Sequence, residues 1–173
     1  MSAARLLWDL LSPRKAAPLP PPPRPPKRRA SQARYDALVE DMKRTWGIRV
    51  RKWRSSTSGC AWEVRSRDGT VTRMIESPYP RGPMSCAVFM HEVGHHAIGF
   101  ASQRLRCMEE HLAWEWAIRE MAARGLSVTD RVRARRDDAM RYALAKALRR
   151  GLKRVPGELL RWLPEGVHIE RQP

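Results

Sequence analysis

The apolar side chains of residues 31–163 recur with periods that change at glycine and proline. Tyr35, Leu38, Val39, Met42 and Trp46 follow helical spacing, Ser31 stands where an N-cap belongs, and Gly47 ends the run. Ile48, Val50 and Lys52 then alternate with Arg49, Arg51 and Arg54, which predicts a strand. Cys60, Trp62 and Val64 alternate in the same way against Ala61, Glu63 and Arg65. A tight turn at Arg67-Asp68-Gly69 returns the chain as a third strand over residues 71–75. Residues 77–83, rich in proline, predict a loop without regular structure.

Helical spacing resumes after that loop. One helix is expected over residues 84–100 and a second from about Cys107 to Arg124, stopped by Gly125. A third is expected over residues 129–150, capped by Thr129, with Val132, Arg136, Met140, Ala143, Leu144, Ala147 and Leu148 along one side. Pro156 opens a short last helix through Leu163, followed by an irregular tail. The pattern predicts an α+β fold: an N-terminal helix, a small three-stranded antiparallel sheet, then a central helix and two to three more.

The central helix carries the chemistry. Apart from the Cys86 thiol, residues 84–100 contain no ionisable group except His91, Glu92, His95 and His96. His91-Glu92-Val93-Gly94-His95 is an HExxH motif. On a helix, positions i and i+4 share a face, so both imidazoles can hold one zinc ion from the same side. Zinc brings the pKa of a water it holds down to about 7, and Glu92 is placed to take that water's proton. The competing reading is a core helix whose histidines hydrogen-bond to backbone. It is disfavoured because the apolar flanks, Ala87 to Met90 and Ala97 to Phe100, would bury these polar groups, and a metal supplies their partner. His96 points away from the His91/His95 face and reads as a neighbouring or rim histidine.

Catalytic zinc takes three protein ligands and leaves a position open. The connection after His95 is short enough for two antiparallel helices, so the third ligand is expected about one turn into the next helix. Glu109, Glu110 and Glu115 are the acidic candidates, with Cys107 and His111 as outside possibilities. Glu110 ranks first because it shares a face with Ala113, Trp114 and Ala117, where small side chains let two helices approach. Glu109 ranks close behind. The glutamates not used, with Glu120, read as solvated helix charges.

The order of elements, the Ser77-Pro78-Tyr79-Pro80 segment, the HExxH motif and Glu109-Glu110-His111-Leu112-Ala113-Trp114-Glu115-Trp116-Ala117 together resemble a compact gluzincin. The likeness is to the ImmA/IrrE family of small bacterial and phage metallopeptidases, over about residues 31–125. It implies a zincin-like domain, Zn2+ on His91, His95 and a glutamate, and Glu92 as general base. It also implies a helix-turn-helix repressor as substrate or partner. One departure is clear: the family's Glu-Ala-x-x-Phe-Ala pattern places Leu112 where its ligand stands, so the ligand falls a turn earlier, at Glu110 or Glu109. Tyr79, His111 and Tyr142 are available to stabilise an oxyanion, and a strand edge such as residues 71–75 is available to hold an extended substrate.

Composition adds a second theme. The net charge is +16. Residues 1–34 hold eight basic and one acidic side chain, and residues 127–154 hold ten and three, so the positive charge lies mostly outside the motif-bearing segment. Such zones attract an acidic partner, nucleic acid or an anionic surface. A zincin-fold regulatory or nucleic-acid-binding protein without catalysis is therefore the alternative to a zinc metalloendopeptidase. Residues 1–30, with their run of prolines, read as a disordered basic leader. Residues 31–125 read as the peptidase domain, and 126–173 as a basic helical extension packed on it. Three scattered cysteines and the lack of a long apolar run lead us to expect a cytoplasmic protein, neither membrane-bound nor disulfide-stapled.

Overall fold

A computed structural model describes residues 27–100, 105–164, 166 and 170–171. The leader expected over residues 1–30 lies almost wholly outside the described residues. The first helix, α1 (Lys27–Trp46), begins four residues before Ser31. Lys27-Arg28-Arg29-Ala30 contains only good helix formers, and nothing in it stops the helix from propagating past the expected cap. Tyr35, Leu38, Val39 and Met42 are buried along one face, as their spacing predicts.

Three strands follow: β1 (Ile48–Arg54), β2 (Cys60–Arg65) and β3 (Val71–Pro78). The turn is where it was expected, with Gly69 at φ 84° and its N–H donating to the Ser66 carbonyl at 3.1 Å. The sheet, however, is mixed rather than antiparallel. Its order is β1-β3-β2, with β2 antiparallel and β1 parallel to β3. Residues 55–59 carry the chain across the sheet instead of closing a hairpin. The gain lies on β3, whose residues Ile75 to Pro78 are buried. There the Glu76 carboxylate, 9% exposed, is held by Arg51 at 3.2 Å and Arg54 at 2.9 Å from β1. The register slips between Val50 and Lys52, so Lys52 is exposed rather than facing inward. β3 also runs further than residue 75: Ser77 and Pro78 pair with Trp53 and Arg54, and a proline in the last strand position sacrifices no interior ladder bond.

The central helix α2 (Pro83–Ile98) starts with Pro83 at N1, and the Ser85 hydroxyl accepts the Gly82 N–H at 3.2 Å. It is buried from Cys86 to His96, between β3 on one side and α3 (Arg106–Ala123) on the other. α4 (Asp130–Arg149) packs on α3, and the Thr129 hydroxyl accepts the Val132 N–H as an N-cap should. The short last helix is a 3-10 turn, Gly157–Trp162. The tail is not wholly irregular: β4 (Arg154–Val155) pairs in parallel with β5 (Glu170–Arg171). No helix among the described residues is long and apolar enough to cross a membrane. Cys60, Cys86 and Cys107 are free thiols.

Candidate metal centre

The close approach of α2 and α3 builds the site. A Cβ added to Gly94 would lie 2.7 Å from the Ala113 carbonyl oxygen and 3.2 Å from the Trp116 ring, so the two backbones touch at the glycine of the HExxH motif. Ala113 and Ala117 on the facing helix are fully buried. This is the small-residue seam expected from the sequence, and it brings a glutamate one turn earlier within reach of both histidines.

His91, His95 and Glu110 form a buried group whose ligand atoms all lie within 4.8 Å of one another, an arrangement able to hold a metal ion. Nε2 of His91 is 3.2 Å from Oε2 of Glu110, and Nε2 of His95 is 3.7 Å from the same oxygen. Two imidazole nitrogens and one carboxylate oxygen thus converge on one point, a donor set that suits zinc. The fit extends outward. Nδ1 of His95 lies 3.2 Å from Oε1 of Glu109, and Arg106 holds that oxygen at 2.7 Å and Glu110 Oε1 at 3.0 Å. A carboxylate on the far nitrogen fixes the ring's orientation and tautomer, as at many histidine-metal sites. Nδ1 of His91 is buried without such a partner among the described residues, and its ring stacks on Trp114 at 4.4 Å.

Electrostatics follow from burial. Burial pushes His91 down to about 4, so its imidazole is neutral and free to donate a lone pair. Burial also pulls His95 down, but the hydrogen bond and charge of Glu110 outweigh it and leave the group raised. Glu110 is held well below the usual carboxylate range, because the two histidines outweigh its desolvation. Glu92 is the opposite case. It is 5% exposed, and burial pushes its carboxyl up to about 7. Its carboxylate abuts Gly59 at the entry to β2, where a Cβ would fall on the Glu92 side chain.

Above the group opens a cleft of about 980 Å³. His91, Glu92, His95 and Glu110 face it, Ser58 to Ala61 at the start of β2 form one wall, and α4 forms the other. The expected basic extension thus contributes a wall of the cleft.

The remaining candidates sort by position. Cys107 lines the cleft but lies outside the three-residue group. His111 lies 5.3 Å from the Trp162 ring, away from the cleft, and Glu115 pairs with Arg136 at 3.2 Å. His96 points its Nε2 at the Met74 carbonyl of β3, 3.1 Å away, and so anchors α2 to the sheet. Of the three oxyanion candidates, Tyr142 lines the cleft. Tyr79 is turned away to donate to Asp36 at 2.7 Å, a bond that pushes its hydroxyl up to about 12. The expectation for Glu109 needs correction: it is 4% exposed and bonded to His95, not a solvated charge. Helical spacing places Trp114 on the Glu110 face but gives no sign that it stacks on His91, and nothing in the sequence singles out Gly59. The stacking indole sits four residues after Glu110, one turn along the same face, but the approach of Gly59 to Glu92 has no local signal.

No protein-family model, no curated protein and no solved structure matches this chain.

Proposed function

We propose that this chain is a zinc-dependent endopeptidase of the HExxH type, acting in the manner of the ImmA/IrrE metallopeptidases that its sequence resembles. One observation carries the reading: His91, His95 and Glu110 converge at the floor of an open cleft with the Glu92 carboxylate beside them. His91, His95 and Glu110 would hold the ion, which when bound supplies Lewis acidity toward a scissile carbonyl and an acidified water. Glu92, shielded by burial and by Gly59, accepts the proton of the attacking water and delivers it to the departing amine nitrogen. Glu109 and Arg106 keep His95 and Glu110 oriented, so little reorganisation accompanies the reaction.

The substrate backbone has a place to dock, though not on residues 71–75. β3 is the central strand and pairs on both sides, whereas β2 is an edge strand whose first residues line the cleft. An extended peptide adding to β2 would present its carbonyls to the site. Tyr142, which lines the cleft and is 64% exposed, is the side chain we assign to the oxyanion. A helix-turn-helix repressor is the proposed macromolecular substrate, on the strength of the sequence resemblance.

The test is cleavage of a proteome-derived peptide mixture by the zinc-loaded chain, read by mass spectrometry. Glu92→Gln should reduce turnover by a factor of ~10² to 10⁴. Undiminished cleavage by that variant would overturn the role of Glu92. The inactive, nucleic-acid-binding alternative rests on the basic face of α4. It would gain from the absence of any cleavage together with a salt-steep DNA affinity that Glu92→Gln leaves unchanged.

A further inference from the structure

The cleft has two unlike walls. On one side, Ser58 to Ala61 offer backbone. On the other, α4 presents Ala139, Ala143 and Ala147 as a shallow seam, bordered by Arg135, Lys146 and Arg150. Residues 135, 139, 143, 146 and 147 fall at i, i+4, i+8, i+11 and i+12 on one stripe of the helix, and Arg150 at its C-cap extends the stripe to i+15. The stripe is about 22 Å long at 1.5 Å per residue, which matches about six or seven residues of extended peptide.

The charge on this wall is uncompensated. Among the described residues no carboxylate lies within ion-pairing distance of Arg135, Lys146 or Arg150, and the Lys146 ammonium instead sits 6.0 Å from the Tyr142 ring. Arg106, the fourth basic group on the cleft, is already engaged by Glu109 and Glu110. Asp138, the acidic residue on this wall, is drawn off to Arg141 at 3.2 Å. Three cations without a carboxylate partner along one side of the cleft attract a negatively charged occupant and repel a positive one.

We infer that the cleft selects an acidic peptide segment, with Arg135, Lys146 and Arg150 reading Asp or Glu side chains on either side of the scissile bond. The inference deepens the peptidase reading and rests on it for the identity of the site. Peptide is favoured over nucleic acid by the opposite wall. The edge of β2 leaves backbone N–H and C=O groups for another strand to pair with, a pairing that a nucleic acid does not offer.

The experiment is equilibrium binding by fluorescence anisotropy. It uses the full chain carrying Glu92→Gln, so that bound peptide is not consumed. The probes are three fluorescein-labelled octapeptides on one apolar frame, carrying Asp and Glu, Asn and Gln, or Lys and Arg. The acidic peptide should bind at least tenfold more tightly than the neutral one at low salt, with the ratio shrinking as salt rises. Lys146→Glu with Arg150→Glu, both at exposed positions, should abolish that advantage while leaving the thermal midpoint within a few degrees. Equal affinity for the three peptides would overturn the inference, as would an acidic preference that survives the charge reversal. A single-stranded oligonucleotide that binds this cleft more tightly than the acidic peptide would assign the wall to nucleic acid instead. Failure of the parent chain to cleave any peptide would count against the peptidase reading alone, because the binding comparison does not depend on turnover.

Discussion

Oε1 of Glu109 lies 3.2 Å from Nδ1 of His95, on the opposite side of the ring from the nitrogen that faces Glu110. Two adjacent glutamates on α3 therefore grip one histidine from both ends. Their roles differ: Glu110 faces the point where a metal would sit, and Glu109 orients the ring. Glu109→Gln should keep the metal stoichiometry but weaken zinc affinity by about 10- to 100-fold. A chelator competition titration measures this. Unchanged affinity would show that the bond plays no part in the site.

The seam between α2 and α3 makes a second prediction, in which two effects oppose each other. Helix propensity alone favours Gly94→Ala by about 1 kcal/mol. The added methyl, however, would stand 2.7 Å from the Ala113 carbonyl oxygen, backbone that can yield only if the helices part. Overpacking of this kind costs about 1–3 kcal/mol and should win. The variant should melt several degrees below the parent and bind zinc less tightly. A raised melting temperature would contradict the close approach.

Gly59 offers a way to disturb Glu92 without touching a ligand. A methyl group there would fall on the Glu92 carboxylate, and the flexible side chain would swing aside. Gly59→Ala should leave zinc content near the parent's and lower kcat by at least about tenfold, the lower range of a mispositioned general base. Parallel measurement of metal content and turnover separates the two effects.

The raised Glu92 carboxyl has a thermodynamic signature in the metal-free protein. Its folded-state value of about 7 exceeds the ordinary glutamate value of 4.5. Between those values the unfolded chain releases the proton while the folded chain keeps it, so Glu92 draws stability away as pH rises through that window. The loss reaches about 3 kcal/mol at most. Glu92→Gln carries no such loss. The metal-free variant and parent should have similar unfolding free energies near pH 4.5, and the variant should become the more stable by pH 8. A difference that stays constant with pH would contradict the burial of a protonated carboxyl.

Much of this architecture was legible in the residues, and the rest fails for identifiable reasons. His91 and His95 share a face by helical periodicity, and Glu110 follows from a short connection plus the small side chains at Ala113 and Ala117. Those are local signals. The parallel pairing of β1 with β3 is not, because it depends on burying Glu76 against two arginines from a strand more than twenty residues away. The slip after Val50 likewise follows from that pairing and not from the alternation itself. Glu109 reads either as the second choice for a ligand or as a solvated charge, because helical position alone cannot show that α3 turns it toward the far nitrogen of His95. The basic stripe of α4 was visible as composition, but its place on the cleft required the packing of α4 against α3.

His91, His95 and Glu110 are assigned to one zinc ion, and the metal content of the purified chain decides whether they hold it. Zinc per chain should be measured in the purified parent beside His95→Ala, Glu110→Ala and Glu109→Ala. The parent should carry about one zinc, His95→Ala and Glu110→Ala should lose it, and Glu109→Ala should retain it with weaker affinity. A parent that takes up no zinc even after reconstitution, or a Glu110→Ala protein that keeps its full complement, would contradict that assignment.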